Sequence, residues 1–218
     1  MHRRALVTAC CLLLVACAGY RGGWESLPYV GAAPPTPPRY RTPFEAQKRS
    51  ELVLPGLTLG VSIDNQVQSY DAQVYLYVVP WSVEPTDLRI RQEEPGRTRV
   101  RLRVKSRQTG FVFRPQLATL RVGATTVPGI AGFEFGQWDE SGNPAASGGQ
   151  WAYRRVPDEY ALSVAGETYY LSIEFPVPVP PPESPDIALD LSRALQAPDT
   201  PAIPEIRFLP VRWREGYT

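Results

Sequence analysis

The sequence predicts an all-β fold: an antiparallel, immunoglobulin-like β-sandwich led by a short N-terminal helix and a proline-rich tether. Three observations carry that prediction. Beyond Leu54 the apolar residues recur mainly with period two, the spacing of a strand with one buried face. The runs are short and broken by Gly and Pro, of which the chain has 17 and 24, as expected of strands joined by turns. One run, Arg99 to Lys105, alternates cations with Val100, Leu102 and Val104, so one of its faces is wet and the other apolar.

Taken in order, the chain starts with a basic stretch, His2, Arg3 and Arg4, followed by the 11 apolar residues Ala5 to Val15. At ~1.5 Å per residue such a stretch cannot span ~30 Å of hydrocarbon, so it reads as an export signal and not as an anchor. It closes on Leu14-Val15-Ala16-Cys17. This run resembles the lipobox of bacterial lipoproteins. The resemblance implies cleavage between Ala16 and Cys17, several acyl chains on Cys17, and attachment of the chain to a membrane of the bacterial cell envelope through those chains. Ala18, in place of Asp, points within that family to the outer membrane. The alternative is an ordinary secretory signal cut after Ala16 or Ala18.

Residues 1–16 are thus the signal peptide, 17–42 a flexible Pro/Gly-rich tether, and 43–218 a single β-sandwich domain with its leading helix. The tether contains Pro34-Pro35-Thr36-Pro37-Pro38, and in polyproline II form it could reach roughly 80 Å. Trp24, Tyr29 and Tyr40 lie within it. Thr42, Pro43 and Glu45 form a helix start signal, predicting a helix over Pro43 to Leu52.

Strands are predicted at Leu57 to Ile63, Val74 to Val78, Arg99 to Lys105, Phe111 to Phe113 and Leu120 to Val122. Later strands are predicted at Gln150 to Arg155, Tyr160 to Val164, Thr168 to Phe175, Asp186 to Leu191, Ile203 to Phe208 and Val211 to Trp213. Gly136 to Gly149 has loop composition, and Pro176 to Pro185 reads as a stiff crossover between strands. About 165 residues suffice to bury a core without disulfides.

Removing the signal changes the chemistry available. The mature chain keeps no histidine and no methionine, and Cys17 is its one cysteine. Acylating Cys17 leaves no thiol, which excludes disulfides, zinc sites of the Cys/His type, copper sites built on His or Met, and His-dependent nucleophile systems. No cofactor motif, glycine-rich phosphate loop or calcium-loop spacing is present. Loss of Arg3 and Arg4 leaves 21 basic against 22 acidic side chains, which gives no electrostatic argument for a nucleic-acid partner.

Three groups of residues are candidate sites. Arg99, Arg101, Arg103 and Lys105 share one strand face, ~6.6 Å between successive charges, with Arg97 and Arg107 extending the stripe. The stripe could bind lipid phosphates, lipopolysaccharide or the acidic surface of an envelope protein partner. The plainer reading is a solvated face whose arginines pair with Glu93, Glu94 or Glu174. Trp138 and Trp151, with Tyr153, flank the long loop and could stack on sugars or peptides, or fill the core with Tyr75 and Tyr77. The doublets Glu93-Glu94, Asp139-Glu140 and Asp158-Glu159 read as turn acids, because neighbours on a strand point to opposite faces.

The functional expectation is a non-catalytic structural or binding protein held in the envelope. One alternative is a carboxylate-dependent enzyme acting on envelope polysaccharide or peptidoglycan, which needs two separated acids across a cleft. Another is a carrier with an enclosed apolar cavity.

Overall fold

The computed structural model describes residues 18–36, 51–75, 79–89, 95–141, 143–145, 148–184 and 186–217. The first strands are β1 (Ala18–Val30), β2 (Glu51–Leu54), β3 (Leu57–Ile63), β4 (Val67–Tyr75) and β5 (Val79–Arg89). They are followed by β6 (Thr98–Ser106), β7 (Phe111–Phe113), β8 (Thr119–Val122), β9 (Thr125–Pro128) and β10 (Ala131–Trp138). The last are β11 (Gln150–Arg155), β12 (Tyr160–Leu162), β13 (Thr168–Phe175), β14 (Ile187–Asp190), β15 (Leu195–Gln196) and β16 (Ile206–Tyr217). Three sheets result, ordered β5-β4-β1-β16-β14-β8-β9, β11-β10-β13-β6-β3-β2 and β12-β7-β15. The fold is all-β and antiparallel, as the period-two pattern predicts.

The three sheets close over one apolar core. The six-stranded sheet contributes Leu57, Leu59, Val61, Val100, Leu102, Val104, Leu171, Ile173 and Phe175. Leu120, Ile187, Leu189, Ile206 and Phe208 face them from the seven-stranded sheet, and Phe111, Phe113, Leu162 and Leu195 close the side. The proline-rich 176–186 segment carries the chain from β13 in one large sheet to β14 in the other, where Thr98 Oγ1 donates to the Val177 carbonyl at 2.8 Å.

Two expectations for the N-terminal part are corrected. Residues 18–30, expected in the tether, are strand β1, paired with β16 through 12 register pairs from Gly19↔Tyr217 to Val30↔Ile206. On its other side β1 pairs with β4 from Ala18↔Val74 to Trp24↔Val67. Its glycines serve close packing and not flexibility: a Cβ on Gly23 would lie 1.8 Å from the Val67 carbonyl oxygen, and one on Gly22 2.5 Å from the Tyr70 hydroxyl. Trp24, assigned to the tether, lies under the Arg212 guanidinium at 4.9 Å.

No α-helix is present among the described residues. Of the helix expected at Pro43 to Leu52, Glu51 and Leu52 belong to β2, which returns into β3 through Pro55-Gly56. Gly56 has φ +76°, the left-handed position that follows proline in a type II turn. Residues 37–50, with Tyr40 and the rest of the expected helix, lie outside the described residues, as do Met1 to Cys17. Residues 31–36 carry no regular structure.

Elsewhere, β11 and β13 have the expected bounds, and the strands expected at Ile203 to Phe208 and Val211 to Trp213 are one strand, β16. Pro210 is accommodated because β14 pairs with β16 only at Ile206 and Arg207. Farther on, β16 has an open edge, where a missing N–H costs little. The strands β5-β4-β1-β16 form a four-stranded blade at one side of the molecule.

Candidate interaction face on the six-stranded sheet

Strand β6 lies inside the six-stranded sheet between β3 and β13, and its register decides what surrounds each arginine. Arg99, Arg101, Arg103 and Lys105 all point away from the core, while Val100, Leu102 and Val104 are buried. Across β13 they oppose Glu174, Ser172, Tyr170 and Thr168, and across β3 Arg101, Arg103 and Lys105 oppose Ser62, Gly60 and Thr58. Phe133 opposes Ser172 from β10. Strand β11 places Arg155, Tyr153 and Trp151 opposite Phe133, Phe135 and Gln137. One outer face therefore carries both the basic stripe and a set of aromatic rings.

The arginines are held by two buried acids and one exposed one. Glu174, with its side chain 7% exposed, pairs with Arg99 and, at 3.3 Å, with Arg97. Asp64, 3% exposed, contacts Arg101 at 2.5 Å, and Glu51 pairs with Arg103. Cross-strand pairing with Glu174 is thus as expected; Glu93 and Glu94 lie outside the described residues. The aromatics pack against the same guanidinium groups: the Arg99 centre lies 5.3 Å from the Phe133 ring and 4.9 Å from Tyr153, and Arg101 lies 5.9 Å from Tyr153. Phe135 stacks on Trp151 at 5.4 Å and leans on Tyr153 at 4.9 Å.

Between these side chains runs an open groove of about 460 Å³, lined by Gly60, Ser62, Arg101, Arg103, Phe135, Tyr153 and Tyr170. Gly60 keeps it open, since a Cβ there would already sit 3.3 Å from the Arg103 side chain. Tyr170 and Trp151 are 49% and 65% exposed, and Lys105 is exposed as well.

Of the expected site residues, the structure brings Arg99, Arg101, Arg103, Lys105 and Trp151 to one face. It takes Trp138 away from them. Strand β10 sends Trp138 to the side opposite Gln137, where its Nε1 donates to the Ala152 carbonyl at 2.9 Å and Arg154 covers its ring at 4.8 Å. Cys17 and Ala16 lie outside the described residues, as does Tyr77. Tyr75 ends β4, outside this sheet.

No protein-family model matches this chain, and no curated protein or solved structure matches it either.

The two described acidic doublets, Asp139-Glu140 and Asp158-Glu159, take turn positions. Asp139 Oδ1 accepts from the Asn143 N–H at 2.7 Å inside the β10–β11 hairpin loop. Asp158 accepts from Gln116, and Glu159 from Arg114 at 2.9 Å, a contact that holds the Glu159 carboxyl below its usual range. Among the described residues no group of three or more His, Cys, Asp or Glu side chains is placed to hold a metal ion, and no helix is long and apolar enough to cross a membrane.

Sequence reasoning missed Gly60, Phe135 and Tyr170. Tyr170 shares the parity of Glu174 within a predicted strand, a signal that was present; its place beside Arg103 depends on register, which no local pattern supplies.

Proposed function

We propose that this chain is a lipid-anchored protein of the bacterial cell envelope, in the outer membrane, with a non-catalytic binding role exercised through the outer face of the six-stranded sheet. The anchor half of this reading is supported by Leu14-Val15-Ala16-Cys17 behind a short apolar segment. The binding half is carried by one observation: Phe135, Tyr153 and Tyr170 converge with Arg101 and Arg103 around an open groove floored by Gly60 and Ser62. We also read the sheets over their shared core as an immunoglobulin-like sandwich, supported by their antiparallel pairing and the crossover at 176–186.

Among the partner classes considered, an envelope glycan suits the groove best. Aromatic faces stack on sugar rings. Arg101 and Arg103 already neutralise Asp64 and Glu51, so they serve better as hydrogen-bond donors to hydroxyls than as a phosphate clamp. A carboxylate-dependent enzyme would need two acids facing each other across the groove, and its lining includes neither Asp nor Glu.

The test is co-sedimentation of the detergent-solubilised full chain with isolated peptidoglycan. Tyr153→Ala and Tyr170→Ala should each weaken binding about tenfold, or about 1.4 kcal/mol. Val164→Ala, at an exposed position outside the groove, should leave binding unchanged. Wild-type affinity in both tyrosine variants overturns the assignment of the groove.

A further inference from the structure

The blade carries a rung of charged residues, and the pairing that defines it runs across all four strands. Arg21 on β1 opposes Glu215 on β16 and Asp71 on β4, and Asp71 opposes Glu84 on β5. Arg21 and Glu215 form an ion pair at 2.7 Å. On one side of this rung the strands run toward the core. On the other side the described strands carry no Asp, Glu, Lys or Arg, at Ala18 to Tyr20 on β1, Gly216 and Tyr217 on β16, Ala72 to Tyr75 on β4 and Val79 to Val83 on β5, and the charge that reaches past the rung is the Arg214 guanidinium, 4.0 Å from the centre of the Tyr20 ring. These strand ends include Val74, Tyr75, Val79 and Trp81, and their last described rungs are Val74↔Pro80 and Tyr75↔Val79. Ala18 opposes Val74 at this end, and Cys17 is the next residue of the chain.

We propose that this uncharged end of the blade docks into the interfacial region of the bilayer, beside the acyl chains of Cys17. The inference rests on the reading of Cys17 as the acylated residue, and the placement of Val74, Tyr75, Val79 and Pro80 beside Ala18 adds an observation that the lipobox does not contain. Tyr and Trp favour the boundary between headgroups and acyl chains, and charged groups are costly below it. Depth decides between docking and spanning. Tyr75 lies four positions beyond Asp71, about 14 Å of strand at ~3.4 Å per residue. That reaches the ~5–10 Å depth of an interfacial segment and falls far short of the ~30 Å of a hydrocarbon core. The charged rung then lies at headgroup level, and four paired strands fix an orientation that acyl chains alone cannot.

The experiment uses the full chain expressed in bacterial cells, with a photoreactive amino acid replacing Val79 or, in a second variant, Tyr75. A third variant carries it at Val53, which is 70% exposed on the six-stranded sheet. After irradiation, mass spectrometry reads phospholipid adducts, and protease resistance of the core confirms folding. Adducts at 79 and 75, several-fold above those at 53, are expected. Crosslinks from both positions to a second copy or to another protein, or no adduct from folded variants, overturn the proposal. The mass of the N-terminal peptide reports acylation of Cys17 separately. An acylated chain without adducts sinks only the docking of the blade, whereas adducts on a chain lacking acyl groups sink the anchor reading and leave the docking in place.

Discussion

Arg99 illustrates what a basic strand becomes once its neighbours are in place. Its guanidinium is shared between the buried Glu174 carboxylate and the rings of Phe133 and Tyr153, so it buttresses the aromatic side of the face. Stripping the acid from such a pair leaves a partly buried charge, a loss of about 3–5 kcal/mol. Glu134 presents the opposite case, on the other side of β10. Burial raises its carboxyl above the ordinary value of 4.5 and the nearby Glu167 adds to the rise, while the hydrogen bond donated by the Tyr160 hydroxyl at 2.7 Å lowers it. The same burial and the same bond push the Tyr160 hydroxyl well above its usual range. Because the folded state holds the Glu134 proton more tightly than the unfolded chain does, stability attributable to this group is present at low pH. It falls as pH rises from the unfolded value through the raised folded one. Glu134→Gln keeps an acceptor for Tyr160 and cannot ionise. Urea midpoints taken between about pH 4 and 7 should therefore decline less with pH in the variant, and parallel curves would remove this account. At the residue scale the sequence showed which side chains share the face of β6. It could not show that Trp151 joins them and Trp138 does not, because a long hairpin loop separates the two and parity does not carry across a loop.

At the scale of elements, legibility followed locality. Strands β3, β6, β11 and β13 announce themselves by alternation. The hairpin of β2 and β3 was also written in the sequence, as Leu54-Pro55-Gly56-Leu57, but the capping residues upstream favoured a helix running to Leu52. In the structure Leu52 and Leu54 are buried against β3, so tertiary burial settled the two residues in dispute. Strand β1 was illegible for another reason. Its Gly22-Gly23 pair reads as a flexible segment, yet the bulge there lets β1 and β4 approach closer than any side chain allows. Trp213 Nε1 seals the same spot by donating to the Val67 carbonyl at 3.1 Å. Gly23→Val should break this contact, because the neighbouring atom is backbone and cannot rotate away. We expect a loss of about 2 kcal/mol or more. Hydrogen exchange should speed up in β1 and β4 and stay unchanged in β6; equal acceleration in β6 would mean that the blade is not a separable unit.

The whole molecule joins a four-stranded blade to a sheet stack with one core, and that joint changes the geometry expected from composition. A polyproline tether after Cys17 would let the domain wander up to roughly 80 Å from a membrane. The structure instead begins regular pairing at Ala18, and the 12 register pairs of β1 with β16 extend about 37 Å at ~3.4 Å per residue. On the proposed reading of Cys17 as the acylated residue, the groove on the six-stranded sheet is then expected to stand at a set height above the anchor, with its face held in one orientation by the blade. Neutron reflectometry of the acylated full chain on a supported bilayer reads that height directly. A narrow protein layer is expected, beginning within the headgroups and densest where the shared core lies at the far end of β1. A flexible attachment would spread the same mass into a diffuse layer reaching toward the tether's full length. Gly23→Val, by loosening β1 from β4, should broaden the layer even when Cys17 remains acylated. A variant profile identical to the wild type would separate the height of the domain from the integrity of the blade, and the set-height account would fail.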